Sequence, residues 1–254
     1  MNHHIIFHIP HSSTYIPDDA INQFIITEDE IQNELNLLTD SFTDELYFNE
    51  KIDTIIFPIS RMVVDPERFA NDEEEVMSKK GMGVIYKKSS KGQTIRRELL
   101  EKEKENLLEK YYSSHHHKLE VMVEEKLEKN KLCLIIDCHS FPSVPFPFED
   151  DQSLLRPDIC IGTDDFHTPT VLKNKFLKQF RKKGYSVEFN RPFAGSIVPT
   201  KYYKINKDVF SIMIEINRKL YMNEQSIKIN SNFNIIQSDI REIIKDSTGN
   251  LEFG

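Results

Sequence analysis

The sequence predicts an α/β fold, a central mixed and mostly parallel sheet flanked by helices, on three observations. Short apolar runs rich in β-branched residues recur along the chain, and several are continuous rather than alternating, as strands buried on both faces require. Longer stretches with apolar residues at helical spacing separate them, so strand and helix alternate. At 254 residues and 39% hydrophobic content, the chain can fill one sizeable core, and residues 1–254 read as a single domain.

Strands are expected at 4–9, 54–59, 132–136, 159–161 and 209–214. Helices are expected over 28–46, over 93–128, which is rich in Glu, Lys and Leu, and over 168–183, closed by Gly184. Residues 98–110 read as a solvated, charged helical face. Residues 71–92 contain three consecutive glutamates and three glycines with little periodicity, and read as a long excursion from the sheet.

Thirty-three basic against 41 acidic residues give a net charge of −8, which argues against a nucleic-acid partner. The first residues lack the basic and apolar regions of a secretory signal, and no stretch approaches the roughly 18 apolar residues of a membrane span. Cys133, Cys138 and Cys160 show no C-x-x-C spacing and read as buried thiols of a reducing compartment. A cytoplasmic protein is expected. Nothing in the sequence addresses its oligomeric state.

In open α/β folds, reactive groups gather where strands finish. The first run is followed by Pro10-His11-Ser12-Ser13, the third by Asp137-Cys138-His139-Ser140, and the last by Glu215-Ile216-Asn217-Arg218. Two histidines and a carboxylate at strand ends suit a catalytic zinc, which takes three protein ligands and leaves a fourth position open. The competing chemistry uses Ser12, Ser13 or Ser140 as a nucleophile activated by histidine. No G-x-S-x-G elbow surrounds any of these serines, which favours the metal. Of His115-His116-His117, at most one can face a site, because neighbours on a helix project about 100° apart.

Further segments fall into a recognisable order. Pro10-His11-Ser12 with Pro17 is followed by Leu38-Thr39-Asp40 with Asp44, Leu46 and Tyr47, then by Ser60-Arg61-Met62-Val63-Val64-Asp65 with Arg68. Gly81-Met82-Gly83, Tyr112 with His116 and Leu119, Asp137-Cys138-His139-Ser140, and residues 156–163, 190–195 and 215–224 continue the series. In this order the segments resemble the N-formylglutamate amidohydrolase family, distant relatives of the zinc carboxypeptidases. Two departures stand out: Ser13 where a glycine is usual, and Thr14 where the carboxypeptidases' H-x-x-E has its glutamate.

The resemblance implies a zinc-carboxypeptidase-like (phosphorylase/hydrolase-like) fold and one Zn2+, or another divalent ion, held by His11, Asp40 and His139. Asp44, one helical turn on, is an alternative to Asp40. Asp137 shares a strand face with His139 and can orient it. Glu215 is implied as general base, with Arg61 and Arg68 beside it in the catalytic group. Ser12, His116, Asn190, Arg191, Asn217 and Arg218 are implied as substrate-binding residues, and Gly195 as a point of close backbone approach. One arginine should hold the substrate carboxylate and another the developing oxyanion; which does which stays open. The implied reaction converts N-formyl-L-glutamate to L-glutamate and formate. The alternatives are another N-acyl amino acid or short peptide as substrate, or a non-catalytic ligand-binding relative.

Overall fold

Continuous apolar strands must be covered on both faces. The computed structural model, which describes residues 3–249, lays them out as one sheet between helical layers. In chain order the elements are β1 (Ile5–Ile9), α1 (Asp18–Ile21), α2 (Glu28–Leu38), α3 (Thr43–Leu46), β2 (Asp53–Ile56), α4 (Glu101–Leu107), α5 (Ser114–Asn130), β3 (Cys133–Phe141), β4 (Ile159–Gly162), α6 (Thr170–Lys182), β5 (Val187–Phe189), β6 (Val209–Asn217), β7 (Met222–Asn223), β8 (Lys228–Ile229) and α7 (Phe233–Thr248). The sheet order is β2-β1-β3-β6-β4-β5. All neighbours run parallel except β4 and β6, so the sheet is mixed and mostly parallel, as predicted.

β3 and β6 form the middle of the sheet. They pair from Cys133–Val209 to Phe141–Asn217, and every residue of both strands is buried. The two-residue period sends Leu134, Ile136, Ile212 and Ile214 to one face, where Leu46, Phe176, Phe180, Ile240 and Ile244 of the helical layer meet them. Cys133, Ile135 and Val209 face the other way, onto Leu119 and Val123 of α5. A third cluster, including Phe24, Leu35, Phe57, Val63, Tyr86 and Ile95, packs beneath the excursion at 71–92, which closes on itself through the Met82–Tyr86 and Lys88–Thr94 bridges.

The helix expected over 28–46 is two helices. A capping box of Thr27 and Glu30 starts α2, but Thr39 leaves it in extended geometry (ψ 136°) and Phe42 takes a left-handed conformation (φ 67°) before α3 begins. The helix expected from 93 starts only at Glu101, because Thr94 and Arg96 pair in isolated bridges; a π-helical turn at Leu108–Ser113 then joins α4 to α5. α7 lies outside the expected helices, although Ile236, Ile240, Ile243 and Ile244 have helical spacing. β3 and β6 run past their apolar cores to include Asp137, His139, Glu215 and Asn217.

Phe176 on α6 is fully buried against the sheet. Phe176→Ala is expected to cost about 3–5 kcal/mol in guanidinium-induced unfolding. A loss below about 1 kcal/mol would show that this helical layer contributes little to the core.

Candidate active site

Four segments bring polar side chains to the C-terminal ends of β1, β3 and β6. His11 follows β1 directly, and its backbone carbonyl accepts the N–H of Asp40 (2.9 Å), which pins the α2–α3 turn to the strand end. Asp40 therefore comes from the break between the helices, not from a helical face. Asp44, one turn on, is exposed on α3 and does not line the cavity. His139 and Glu215 are direct partners across the β3–β6 pairing. The segment after β2 supplies Arg61, Asp65, Glu67 and Arg68.

Asp40 lies on the δ side of both imidazoles, with Oδ2 3.2 Å from His139 Nδ1 and 3.9 Å from His11 Nδ1. The ε side belongs to other carboxylates. His11 Nε2 is 2.9 Å from Asp65 Oδ1, and His139 Nε2 is 3.1 Å from Asp137 Oδ1. Glu67 also reaches this side, with Oε2 3.1 Å from His139 Nε2 and 3.8 Å from His11 Nε2. Arg218 ties Asp40 in place, donating Nη2–H to its Oδ1 (3.0 Å) and Nη1–H to the Leu37 carbonyl (2.6 Å). Arg61 donates to Asp65 Oδ2 from Nη2 (2.7 Å) and Nε (3.1 Å).

Burial alone would drive protons onto these carboxyl groups. Asp65 nevertheless stays well below the usual carboxylate range, because Arg61 and His11 outweigh burial. Asp40 is likewise lowered, by the His139 hydrogen bond and the Arg218 charge, and Asp137 by His139 and His8. His139 is also buried, yet Glu67 and Asp137 raise its pKa well above the usual 6.5. His11 shifts the other way, lowered by burial and then by Arg61. With Nε2 donating to Asp65, the Nδ1 of His11 carries a lone pair, and that atom is buried with no partner.

Glu215 stands apart from the other carboxylates. Burial pushes its pKa from 4.5 up to about 8, against the opposing pull of His139 and Arg218, and its Oε2 is buried without a partner. Two orphaned atoms, one nitrogen lone pair and one carboxylate oxygen, thus lie beside the Asp40–His139 contact. Two groups, His11 with Glu67 and His139, and His8 with Glu67 and Asp137, each bring three ligand atoms within 4.8 Å of one another and could hold a metal ion, and imidazole and carboxylate donors suit a divalent cation.

A cavity of about 600 Å³ opens on the cluster, lined among others by His11, Asp40, Arg61, Arg68, His139, Glu215 and Arg218. His116 reaches it with Nε2 donating to the Pro66 carbonyl (2.7 Å). Ser12, Asn190, Arg191 and Asn217 do not line it. Asn190 is bonded to Thr163, and Arg191 is half-exposed and paired with Asp151 and Glu188. Asn217 is buried and donates to the Pro157 carbonyl. These three asparagine and arginine side chains are bonded to neighbouring loops and lie outside the cavity lining. Gly195 does reach the wall, and a Cβ at Gly162 would strike the Gly195 carbonyl, so glycine at 162 permits that approach. Among the described residues no serine hydroxyl bonds an imidazole: Ser13 donates to Pro58, and Ser140 accepts from Arg218.

Sequence reasoning missed Glu67, which occupies an unspecified position of the segment from Ser60 to Arg68. It also missed His8 and His115. His115 is buried, its Nε2 2.9 Å from His8 Nε2, while His8 Nδ1 lies 2.8 Å from Asp137 Oδ1. The one available signal was a histidine inside the apolar run of β1.

A mostly parallel sheet whose strand ends collect imidazoles, carboxylates and guanidinium groups around one cavity defines a protein of hydrolase type. The chain belongs to the N-formylglutamate amidohydrolase family, whose model matches residues 3–222. Family and fold together mark it as an amidohydrolase. The fold is similar to that of an N-formylglutamate amidohydrolase from Ralstonia eutropha JMP134, with a TM-score of 0.83 and 22% identity over 97% of this chain and 95% of that one. It is also similar to a gene product of Agrobacterium tumefaciens, with a TM-score of 0.64 and 16% identity over 95% of this chain and 90% of that one. A comparison with curated proteins finds no match. Among the described residues no helix is long and apolar enough to cross a membrane, and all three cysteines are free and buried.

The raised pKa of Glu215 carries a stability consequence. In chelator-treated protein the folded state keeps this proton up to about pH 8, while the unfolded chain releases it near 4.5. The resulting stabilisation is complete below 4.5 and lost as pH rises through 8. Glu215→Gln lacks that loss, so the variant should gain on the parent across this window, by on the order of 4 kcal/mol at its upper end. Urea unfolding of both proteins across the window checks this; a constant gap would show that Glu215 ionises normally.

Proposed function

We propose that this protein hydrolyses the amide bond of an N-acyl amino acid with the help of one divalent cation, zinc being the ion its donors suit, held by His11, Asp40 and His139. The observation that carries the reading is the buried, unpartnered Nδ1 of His11 beside Asp40 and His139. A ligating imidazole characteristically gives its other ring nitrogen to a carboxylate, which fixes tautomer and orientation. Asp65 does this for His11 and Asp137 for His139.

A divalent cation held by these residues would supply Lewis acidity to a carbonyl and lower the pKa of a bound water. Glu215 accepts the proton released by the attacking water and returns it to the departing amine nitrogen as the C–N bond breaks. A carboxylate can do both, accepting the proton as base and returning it as acid. Arg61 is committed to Asp65, so it holds the partner of His11 and does not itself meet substrate. Arg68 is the guanidinium left for the substrate carboxylate. N-formyl-L-glutamate, the compound the family is named for, is the reference substrate.

A second reading takes Glu67 as the carboxylate ligand, supported by its contacts with both ε-nitrogens. Metal analysis separates the two. On the first reading Asp40→Asn loses the ion and Glu67→Gln retains it; the reverse pattern would transfer the role to Glu67. His139→Ala is expected to lose both metal and turnover. Glu215→Gln should keep the metal while kcat falls by about a hundredfold or more. Unchanged kcat would remove Glu215 as the base, and a purified protein with neither metal nor metal-restored amidase activity would point to a binding protein.

A further inference from the structure

Resting on the reading of this cavity as the site of amide hydrolysis, we propose that its preferred substrates carry one carboxylate and an apolar, ring-sized side chain, as in an N-acylated aromatic amino acid, and not the second carboxylate of glutamate. The reasoning starts from the cations in the wall. No lysine lines the cavity, and its guanidinium groups are those of Arg61, Arg68 and Arg218. Arg61 is engaged by Asp65 and by the Tyr86 hydroxyl oxygen (3.0 Å). Arg218 is engaged by Asp40, the Leu37 carbonyl and Ser140 Oγ. Arg68 alone has no hydrogen-bond acceptor for its guanidinium among the described residues; its nearest carboxylate oxygen, on Asp65, is 3.8 Å from Nε. Arg61 and Arg218 are each neutralised by a buried aspartate, so one carboxylate finds an uncommitted cation, that of Arg68.

A second carboxylate does not. His116 has already given its Nε2–H to Pro66, and Arg156, behind the rings of Phe141 and Phe193, is held by Glu149 and the Pro142 carbonyl. A dicarboxylic substrate would bring a second charge, with no uncommitted cation to meet it, into a wall that also holds Glu67. The remaining wall is aromatic. Phe146 and Phe148 stack at 5.2 Å with an interplanar angle of 15°, Phe141 and Phe193 meet edge-on at 6.0 Å, and Phe69 and Tyr203 extend the surface. Such a wall favours a flat apolar side chain by area and by ring geometry.

The test compares N-formyl-L-phenylalanine with N-formyl-L-glutamate on the metal-loaded full chain, by kcat/KM and by calorimetric Kd. The phenylalanine compound should be favoured at least about tenfold, mainly through KM and Kd. Arg68→Ala should weaken its binding about tenfold or more while sparing N-formyl-L-phenylalaninamide, which has no carboxylate. Phe146→Arg should narrow or reverse the preference. Equal or better kcat/KM for the glutamate compound overturns the proposal, as does tighter glutamate binding if neither compound is turned over. Tighter phenylalanine binding without turnover of any N-acyl amino acid supports this preference while rejecting the hydrolysis reading on which it was built.

Discussion

Buried carboxylates are the constraint around which the molecule is arranged. Asp40, Asp65 and Asp137 are each at most 3% exposed, and a carboxylate at that depth stays ionised only if a cation or several N–H donors are delivered to it. The chain delivers them from separate elements. Arg61 comes from the segment after β2, Arg218 from the turn after β6, and the imidazoles from β1 and β3. Arg218 binds both the Leu37 carbonyl and Asp40, so the same side chain that neutralises a charge also fastens the α2–α3 turn to the far side of the sheet. Glu215 is the exception: burial raises its pKa, and one of its oxygens is left unpartnered.

A second organising feature lies beneath the cavity. His115 on α5, His8 on β1, Asp137 and His139 on β3 form an unbroken line of contacts at 2.9, 2.8 and 3.1 Å. The orientation of His139 is thereby tied to a helix that never reaches the cavity floor through its other buried residues, Leu119 and Val123, which pack instead in the apolar layer. Rigid elements, not loops, set the imidazole's direction.

Much of this was legible in the sequence. The continuous apolar runs gave the strands, and reading the residue beyond each run gave His11, His139 and Glu215. Asp40 was legible only through family resemblance, because nothing in its local sequence announces that the helix breaks at Thr39. The break depends on a tertiary bond to His11 and on the left-handed Phe42. Glu67 and His115 escaped because charge partners across the fold select them, not periodicity. Asn190, Arg191 and Asn217, named as substrate-binding by resemblance, are bonded within loops outside the cavity lining, because polar residues at strand ends also serve as loop fasteners.

The β3–β6 register has a consequence for how the protein reaches its active form. His139 and Glu215 are opposite each other in one continuous ladder, and slipping either strand by a single residue would turn its polar side chain from the cavity to the apolar layer on the other face. Such a chain would bury polar groups among leucines and isoleucines, so the mispaired sheet is penalised by the same side chains that line the cavity. The alignment of the two strands and the assembly of the polar cluster at their ends are thus acquired in a single event.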